Sequence, residues 1–325
     1  MMSEKKRTRI VVISLFVLLP IVFVLGLLLG SESISFSDIK TDKFAKIILF
    51  DIRLPRTLLA LLCGSLLAGS GAVFQGFFRT PLADSSMLGV TAGAAFGATI
   101  GSGLGLWMPF GAFVGAILSI VLVFFLSCGR KSSHEPIRLL LAGNAVSVFL
   151  SALTSVIMLV RDKEMYKLYM WTLGSFNSKG YDELKFLIIP ALISFVLFLF
   201  CIKPLDLLSS GNLTAEGLGL ETKKVQILCF VAGSIAAAAA VCAGGVIGFV
   251  GLISPHIVRI LCGSSYKKII PISLLAGAVF LGIVDIFCRT VAAPTDIPAG
   301  IVTSLIGAPF FIFVLLSGRK RKHTL

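Results

Sequence analysis

Residues 85–129 read SSMLGVTAGAAFGATIGSGLGLWMPFGAFVGAILSIVLVFFLSCG and contain no charged side chain. A helix needs about 20 apolar residues to span the hydrocarbon core of a bilayer, so these 45 residues are long enough for two crossings. Gly101, Gly103, Gly105 and Pro109 interrupt the middle of the stretch, where a turn between two helices would lie. The stretch therefore predicts a pair of transmembrane helices.

Apolar runs elsewhere in the chain predict eight more helices. The run Val225–Val258 is too long for one helix and is interrupted by Gly244, Gly245 and Pro255, so it is predicted to hold one full helix and one short, irregular helix. Residues 1–325 are therefore predicted to form a single all-α, polytopic membrane domain with about ten transmembrane helices. The other six runs predict one helix each, and they are Ile10–Ser31, Thr57–Phe78, Leu139–Val160, Phe186–Ile202, Ile269–Val284 and Ile297–Gly318.

The distribution of charge tests this topology. Cytoplasmic segments of membrane proteins carry an excess of Lys and Arg, and both ends of this chain are rich in them. With both termini in the cytoplasm, as an even number of crossings allows, 18 cations and six acids fall inside, and the remaining 11 cations and 10 acids fall outside. The net charge then divides as +12 inside and +1 outside. The excess of basic residues is therefore explained by the topology and gives no reason to expect nucleic-acid binding.

The N-terminal run has a second interpretation. Basic residues followed by an apolar run are also typical of a secretory signal peptide, whose apolar core is about 7 to 15 residues long. The run Ile10–Ser31 is longer, and no Ala-x-Ala cleavage site follows it. An uncleaved first helix is therefore favoured.

Three connections between the predicted helices are long. The outer segment 32–56 is mixed in charge, and the outer loop 161–185 contains Tyr, Trp and Phe among charged residues, which favours a short helix at the membrane interface. The inner loop 203–224 has leucines spaced between polar residues, which predicts a short amphipathic helix with a cytoplasmic partner on its apolar face. The alternative that this loop folds back onto its own membrane domain stays open.

The sequence lacks the motifs of several functional classes. It has no GxxxxGK[ST] phosphate-binding loop, so the chain is not expected to bind ATP in that way. We find no catalytic pair and no Cys/His metal spacing, and we predict no catalytic, cofactor-binding or metal-binding residue. His256 has no second ligand close by in the sequence, and the seven cysteines are interpreted as packing residues.

Asp285 is the only acid within an apolar run, which bears on ion-coupled transport. A carrier driven by protons or sodium usually needs a titratable or coordinating group in the membrane. Arg289 stands one helical turn further on, so the two side chains are predicted to neutralise each other near the outer surface. An ion-coupled secondary carrier is kept as an alternative, as is a membrane-embedded enzyme, for which no catalytic pair is visible.

The sequence contains a weak internal repeat, whose matched positions lie 174 residues apart. It would make the two halves inverted repeats, a common transporter design, but three matches in a chain with 32 glycines also arise by chance. The matched positions are Gly71, Pro81 and Gly89 in the first half and Gly245, Pro255 and Gly263 in the second half.

Several motifs together resemble the signature of the permeases of iron-siderophore, haem and vitamin B12 ABC importers, the FecCD type of permease. The first half carries RLPR at residues 53–56, and the second half carries GVIGFVGLISPHIVR at residues 245–259 and IPAGIVTSLIGAPFF at residues 297–311. The similarity covers residues 50–318. The motif residues on which it depends are Gly71, Gln75, Pro81, Gly89, Gly245, Gly248, Gly251, Pro255, Pro298, Gly300, Gly307 and Pro309.

The resemblance implies a permease of the bacterial plasma membrane that pairs with a second permease subunit, either a copy of this chain or a paralogue. Two cytoplasmic ATPase subunits would use the ATP, and an extracytoplasmic substrate-binding protein would dock on the outer face. The favoured cargo is a ferric siderophore, with haem and cobalamin as alternatives. The chain itself would catalyse no covalent chemistry.

The resemblance also implies roles for two groups of residues. Arg53, Arg56 and Arg289 would bind acidic residues of the binding protein, since a guanidinium can hold a carboxylate with two hydrogen bonds; anchoring to lipid phosphates is the alternative. The inner loop 203–224 is similar to the coupling helices of the family, which would contact the ATPase. The residues singled out there are Leu205, Leu208, Gly211, Ala215, Glu216, Leu218 and Gly219.

One motif departs from the family pattern. Many relatives have Asn-Pro-Leu-Ala-Asp-Pro where this chain has Thr80-Pro81-Leu82-Ala83-Asp84-Ser85. A threonine hydroxyl can still cap a turn, so we expect the loop to survive. Ser85 removes the φ constraint of a proline and leaves the start of the third helix less sharply defined.

Overall fold

The computed structural model describes residues 3–30, 43–127, 135–160 and 162–322, and within these ranges every regular element is helical. Residues 32–42 of the predicted outer segment, and Arg161, lie outside the described residues. A π-helical turn, Ile48–Arg53, leads into the third α-helix, and a 3-10 turn, Ser85–Leu88, precedes the fourth. The α-helices are α1 (Glu4–Leu28), α2 (Lys43–Ile47), α3 (Leu54–Phe77), α4 (Val90–Gly103), α5 (Met108–Ser127), α6 (Glu135–Val160), α7 (Asp162–Thr172), α8 (Tyr181–Ser209), α9 (Asn212–Gly217), α10 (Thr222–Gly244), α11 (Val250–Cys262), α12 (Tyr266–Thr290) and α13 (Ala299–Lys322).

Ten of these helices match the ten predicted crossings, and the all-helical polytopic fold is confirmed. Among the described residues, seven helices are long and apolar enough to cross a membrane: α1, α3 together with α2, α5, α6, α8, α10 and α12. The 13-residue α11, the apolar part Ala299–Val314 of α13, and the 14-residue α4 complete the set. The short helix predicted in the outer loop 161–185 is present as α7.

The uncharged stretch 85–129 forms the predicted helical pair, α4 and α5, with a turn between them at residues 104–107. The two helices approach closely because glycines face each other. A Cβ added at Gly97 would lie 2.7 Å from the Cα of Gly115, and one added at Gly101 would lie 3.1 Å from the Cα of Gly111. Small residues that allow backbones to touch are the usual means of packing helices in lipid.

The long run after residue 225 is broken as predicted. α10 ends at Gly244, and α11 begins only at Val250. Gly245 has a φ of 76° and Phe249 a φ of 67°, so the chain turns through two left-handed residues between the helices. The carbonyl of Gly244 accepts a hydrogen bond of 2.8 Å from the backbone N–H of Ser175. The break therefore rests against the loop that follows α7.

One predicted boundary is wrong. The run Phe186–Ile202 was expected to end at the inner loop, but α8 continues to Ser209. The continuation is explained by burial, since Leu205 and Leu208 are 1% and 4% exposed and pack inside the chain. The first part of the predicted inner loop is therefore the end of a membrane helix, and only α9 and the turns around it form a separate element.

The core is built around α3 and α10. Every residue from Leu66 to Phe77 is buried, and so is every residue from Ala236 to Gly245. α6 lies at the periphery and buries only a narrow stripe, which includes Val146 and Leu150. Wide faces of α6 and α13 are consequently exposed in the single chain.

The start of α1 lies beside the junction of α11 and α12. Glu4 pairs with Lys268 at 2.8 Å, and the guanidinium of Arg7 donates to the backbone carbonyls of Ile260 and Leu261. The N-terminus therefore shares a face with the basic segment 259–268, which the charge distribution assigned to the cytoplasm.

Two of the three residue pairs of the weak internal repeat are not structurally equivalent. Gly71 lies inside α3, whereas Gly245 follows the end of α10 with a positive φ. Pro81 lies in a turn, whereas Pro255 lies inside α11. The inverted repeat itself stays a prediction.

Candidate functional site

Two arginines and two aspartates form an ion cluster where α3 begins and α12 ends. Arg56 Nε lies 3.0 Å from Asp285 Oδ1, and Arg56 Nη1 lies 2.7 Å from Asp296 Oδ2. Arg289 Nη2 lies 3.1 Å from Asp285 Oδ2. The pairing predicted between Asp285 and Arg289 is confirmed, and the cluster as a whole carries no net charge.

The cluster is buried, which makes its balance of charge important. Asp285 is 1% exposed and Arg289 4%. The contact of Arg289 with Asp285 is an ion pair by distance but is poorly aligned for a hydrogen bond, and Arg289 Nε and Nη1 have no hydrogen-bond partner among the described residues. A buried guanidinium with unused donors is costly, so the cluster can accept a further anionic or carbonyl partner.

The structure brings the three predicted docking arginines close to one another. Arg53 donates to the carbonyls of Leu27 and Leu28 at the end of α1, at 3.1 and 2.6 Å, while Arg289 donates to the Thr57 hydroxyl at 3.3 Å. All three arginines are buried in the isolated chain, at 4%, 7% and 4% exposure for Arg53, Arg56 and Arg289. Their docking role stays a prediction. Within the described residues, the way from solvent to Arg56 and Arg289 is the exposed edge of the ion cluster.

That exposed edge is the segment between α12 and α13. Asp296 has a side chain that is 14% exposed, and its neighbours Ala293, Pro294 and Thr295 are exposed. Asp296 is therefore the acidic member of the cluster nearest to solvent. Sequence reasoning missed it, because it lies outside every apolar run and 240 residues from Arg56.

The motif residues of the two halves meet at a second place, where α3 crosses the start of α11. Gly71 faces the backbone of Gly251 with no room for a Cβ. Gln75 Nε2 donates to the carbonyls of Gly251 and Leu252 at 3.3 and 3.2 Å, and Gln75 is 1% exposed. Two motifs far apart in the sequence thus form one helix crossing.

Asp84, in the loop after α3, lies beside this helix crossing. Its Oδ1 accepts from the backbone N–H of Ser85 at 2.7 Å, and its Oδ2 accepts from the Ser86 hydroxyl at 3.2 Å. Burial raises the pKa of the Asp84 carboxyl, while hydrogen bonds from Ser85, Ser86 and the backbone of Phe249 act in the opposite direction. The expected turn survives without the family's asparagine, because the Thr80 hydroxyl accepts from the backbone N–H of Leu82 at 3.3 Å.

Most of the other motif residues lie at contacts between elements. Gly89 has a φ of 79°, and its carbonyl accepts from the Ser119 hydroxyl at 2.9 Å. The backbone N–H of Gly300 donates to the carbonyl of Gly174 at 3.1 Å. Gly307 packs under the ring of Phe249.

Of the remaining motif positions, Gly248, Pro298 and Pro309 lie in less crowded surroundings, whereas Pro255 is buried. Gly248 has open space where a Cβ would be. Pro298 directly precedes α13, and Pro309 lies inside α13 on its exposed side. Pro255 lies inside α11, and its neighbour His256 makes an edge contact with the ring of Phe310 at 5.9 Å.

The predicted coupling residues differ in their exposure. Leu205, Leu208 and Ala215 are buried in the chain's own core. Gly211 and Gly219 have φ values of 110° and 83° and form the turns on either side of α9. Glu216, Leu218 and Gly219 are exposed, with Leu218 at 65%. The surface left for a cytoplasmic partner is therefore the exposed side of α9 and the turn after it.

Within the described residues, no group of three or more His, Cys, Asp or Glu side chains could hold a metal ion. The arrangement instead consists of interlocked helices, a neutral outer ion cluster and a short inner helix with an exposed leucine. These features define a polytopic transport subunit of the membrane.

Comparisons with known proteins identify the family. The FecCD transport family matches residues 18–317. The chain belongs to this family, whose members are permeases of ABC importers for iron chelates, haem and cobalamin. It is the permease subunit of a metal-chelate importer, is not itself an ATPase, and is a multi-pass protein of the cell membrane.

Individual relatives are similar over most of the chain. The hemin transport system permease protein HmuU of Yersinia pestis is 33% identical over 341 residues, covering 99% of each chain. The iron(3+)-hydroxamate import system permease protein FhuB of Bacillus subtilis is 38% identical over 284 residues, covering 85% of this chain and 72% of that protein. A solved structure described as an inward-facing conformation of a metal-chelate type ABC transporter is 34% identical, has a TM-score of 0.84, and covers 95% of this chain and 99% of the other.

Proposed function

We propose that this permease carries a ferric siderophore into the cell, together with a second permease subunit, two cytoplasmic ATPases and an extracytoplasmic binding protein. The choice of cargo is supported by similarity to two permeases named for ferric chelates, with 38% identity to an iron(3+)-hydroxamate permease and 34% to an Fe(3+)-citrate permease; a cobalamin permease is 37% identical and a hemin permease 33%. Haem and cobalamin are the alternatives.

The translocation path is proposed to run along the exposed faces of α6 and α13. α6 exposes Asn144, Ser151 and Ser155, and α13 exposes Ser304, although the residues around them, away from the charged ends of the two helices, are mostly apolar. Exposed polar side chains in membrane helices usually face water or another subunit. A face with hydroxyls and an amide but no charge suits a large chelate, because weak, dispersed contacts let the cargo leave again.

The proposal is tested by purifying the chain with its partners from native membranes and identifying the ligand on the binding protein. The complex is expected to contain ATPase subunits and two permease subunits, and its mass distinguishes two copies of this chain from a paralogue. Reconstituted vesicles should take up a ferric siderophore only with ATP. Haem or cobalamin on the binding protein would replace the siderophore assignment, and uptake driven by an ion gradient without the ATPase would reject the ABC mechanism.

Leu218 is proposed to contact the ATPase, since it is an exposed leucine directly after α9. Replacing it with glutamate is expected to weaken ATPase binding by about tenfold or more, because burying a charge without a partner is unfavourable. Binding of the purified ATPase to the permease in nanodiscs measures the effect. Leu218→Met keeps the apolar contact and should bind like the unmodified chain. Equal binding by Leu218→Glu and Leu218→Met would remove Leu218 from the interface.

Arg56 is proposed to take part in docking of the binding protein. Charge reversal, Arg56→Glu, is expected to weaken docking by about tenfold or more, since each 1.4 kcal/mol of lost interaction is tenfold in affinity. Surface binding of the purified binding protein measures this, and each affinity is referred to the folded fraction, because Arg56 also belongs to the ion cluster. The control is Lys185→Glu, which reverses a charge on the exposed side chain of Lys185 near the start of α8. Losses of equal size in the two variants would contradict a specific role.

A further inference from the structure

Asp206, near the end of α8, caps a different helix. Its Oδ1 accepts a hydrogen bond of 2.6 Å from the backbone N–H of Tyr266, and its Oδ2 accepts one of 3.2 Å from the hydroxyl of Ser265. Ser265 is the N-cap residue of α12, but its own side chain caps no N–H group. The carboxylate that satisfies the first turn of α12 therefore comes from about 60 residues earlier in the chain. A negative charge at this end of a helix also interacts favourably with the helix dipole.

The cap lies within a tightly packed junction of four helices. Leu205 and Tyr266 are 1% and 4% exposed, and both lie against Gly76 of α3. A Cβ added at Gly76 would be 2.8 Å from the ring of Tyr266 and 2.9 Å from Leu205 Cδ2. Arg259 of α11 donates to the Tyr266 hydroxyl at 3.1 Å and lies over its ring at 5.5 Å. The ends of α8 and α11 and the start of α12 are thus held together against α3.

This junction lies directly beside the helix that is proposed to contact the ATPase. α8 ends three residues after Asp206, and α9 begins three residues after that. Ala215 of α9 is fully buried, so α9 is anchored to the membrane helices at its middle and is joined to α8 by a short turn. The link between them is too short to absorb a large displacement of α9.

α12 connects this junction to the outer ion cluster. It is helical through 25 residues from Tyr266 to Thr290, with Pro271 near its start, and is about 37 Å long at 1.5 Å per residue. Its other end carries Asp285 and Arg289. One continuous helix therefore has its first turn fixed by Asp206 and its last turns in the cluster that contains the proposed docking arginines.

We propose that Asp206 is a positioning residue that makes α9 and α12 move as one body, so that displacement of α9 by the ATPase reaches the outer ion cluster along α12. The inference rests on the proposed function in one respect, namely that α9 contacts the ATPase. It also explains why Leu205 and Leu208 are buried. They attach the coupling segment to the membrane helices instead of contacting the ATPase.

The test uses the complete importer, with permease, ATPases and binding protein, in liposomes, and measures ATP hydrolysis and cargo uptake in the same sample. The variant Asp206→Ala is expected to bind the ATPase normally but to lower the uptake per ATP hydrolysed, and the stimulation of hydrolysis by the binding protein, by about fivefold or more. Asp206→Asn keeps an oxygen acceptor for the N–H of Tyr266 and should restore most of the coupling. Asp182→Ala is the control, because it removes an exposed acid from the opposite end of the same helix, α8, far from the inner segment.

Three outcomes would overturn the inference. In the first, Asp206→Ala keeps the normal ratio of uptake to hydrolysis, whatever its stability. In the second, Asp206→Asn and Asp182→Ala lose coupling as severely as Asp206→Ala. Failure of the proposed ATPase contact is seen separately, because Leu218→Glu tests binding of the ATPase, whereas the Asp206 variants are compared only after normal ATPase binding has been measured. A variant that loses binding as well would show that Asp206 holds α9 in place without transmitting its movement, and would also overturn the inference.

Discussion

Replacing Asp285 with alanine is expected to lower the free energy of unfolding by about 3–5 kcal/mol. Removing this carboxylate leaves the buried positive charges of Arg56 and Arg289 without their shared partner. Asp285 lies within ion-pair distance of both Arg56 and Arg289 and is 1% exposed. Without it, Asp296 alone faces two guanidinium groups. Reversible unfolding of the purified chain in mixed micelles, followed by tryptophan fluorescence, measures the change.

A double-mutant cycle separates the charge effect from the loss of packing. Arg289→Ala removes the partner one helical turn away, and the double variant Asp285→Ala with Arg289→Ala leaves Arg56 paired with Asp296. The double variant should therefore be less destabilised than the sum of the single variants. Additive losses would show that the four residues do not act as a cluster. Asp182→Ala, which removes a side chain that is 86% exposed, should leave the stability within about 0.5 kcal/mol.

The same position distinguishes the ABC importer from an ion-coupled carrier. Asp285→Asn keeps the shape of the side chain but cannot carry a negative charge. If the folded Asp285→Asn variant binds the ATPase and loses all transport, a direct role of the carboxylate in ion coupling is favoured. Transport in proportion to the folded fraction agrees with the structural role that its ion pairs with Arg56 and Arg289 indicate.

Gly71→Ala is expected to destabilise the chain by about 3 kcal/mol, the upper end of the usual range for overpacking. The added Cβ would meet backbone atoms of Gly251, including a Cα at 2.5 Å, and backbone cannot rotate away as a side chain can. Separation of α3 from α11 would also lengthen the hydrogen bonds from Gln75 to Gly251 and Leu252. The unfolding assay described for Asp285 measures this loss.

The matched control for Gly71 is another glycine of the same family motif. Gly248 has no heavy atom within 4 Å of an added Cβ and no positive φ. Gly248→Ala should therefore change the stability by less than about 0.5 kcal/mol. Equal losses at the two positions would mean that conformational freedom, and not the close approach of two backbones, explains the cost at Gly71.

The positions of the ten membrane helices were predictable from composition, because lipid imposes a simple requirement on every crossing. A segment must be apolar for about 20 residues and must satisfy its own backbone hydrogen bonds. The turn within residues 85–129 and the break before Val250 were equally visible, since glycine and proline mark them locally. The end of α8 was not predictable in this way, because Leu205 and Leu208 extend the helix only by packing into a core formed by distant elements.

The candidate sites were predictable only in part. The pair Asp285 and Arg289 lies one turn apart on a single helix, so its formation follows from helix geometry. The partnership of Arg56 with Asp296 joins residues 240 positions apart, and that of Asp206 with Tyr266 joins residues 60 positions apart. Nothing in the local sequence around either aspartate indicates its partner.

The chain of amino acids was enough to establish an all-helical polytopic membrane protein and its family, and it predicts that both ends lie in the cytoplasm. These properties depend on local composition, on the positive-inside bias and on motifs that can be compared one residue at a time. Which residues are buried and which charges meet depended on how the helices pack. Arg53, Arg56 and Arg289 look like surface residues in the sequence, yet α1, α3 and α12 enclose them, since burial is a property of neighbouring helices and not of the segment that carries the side chain.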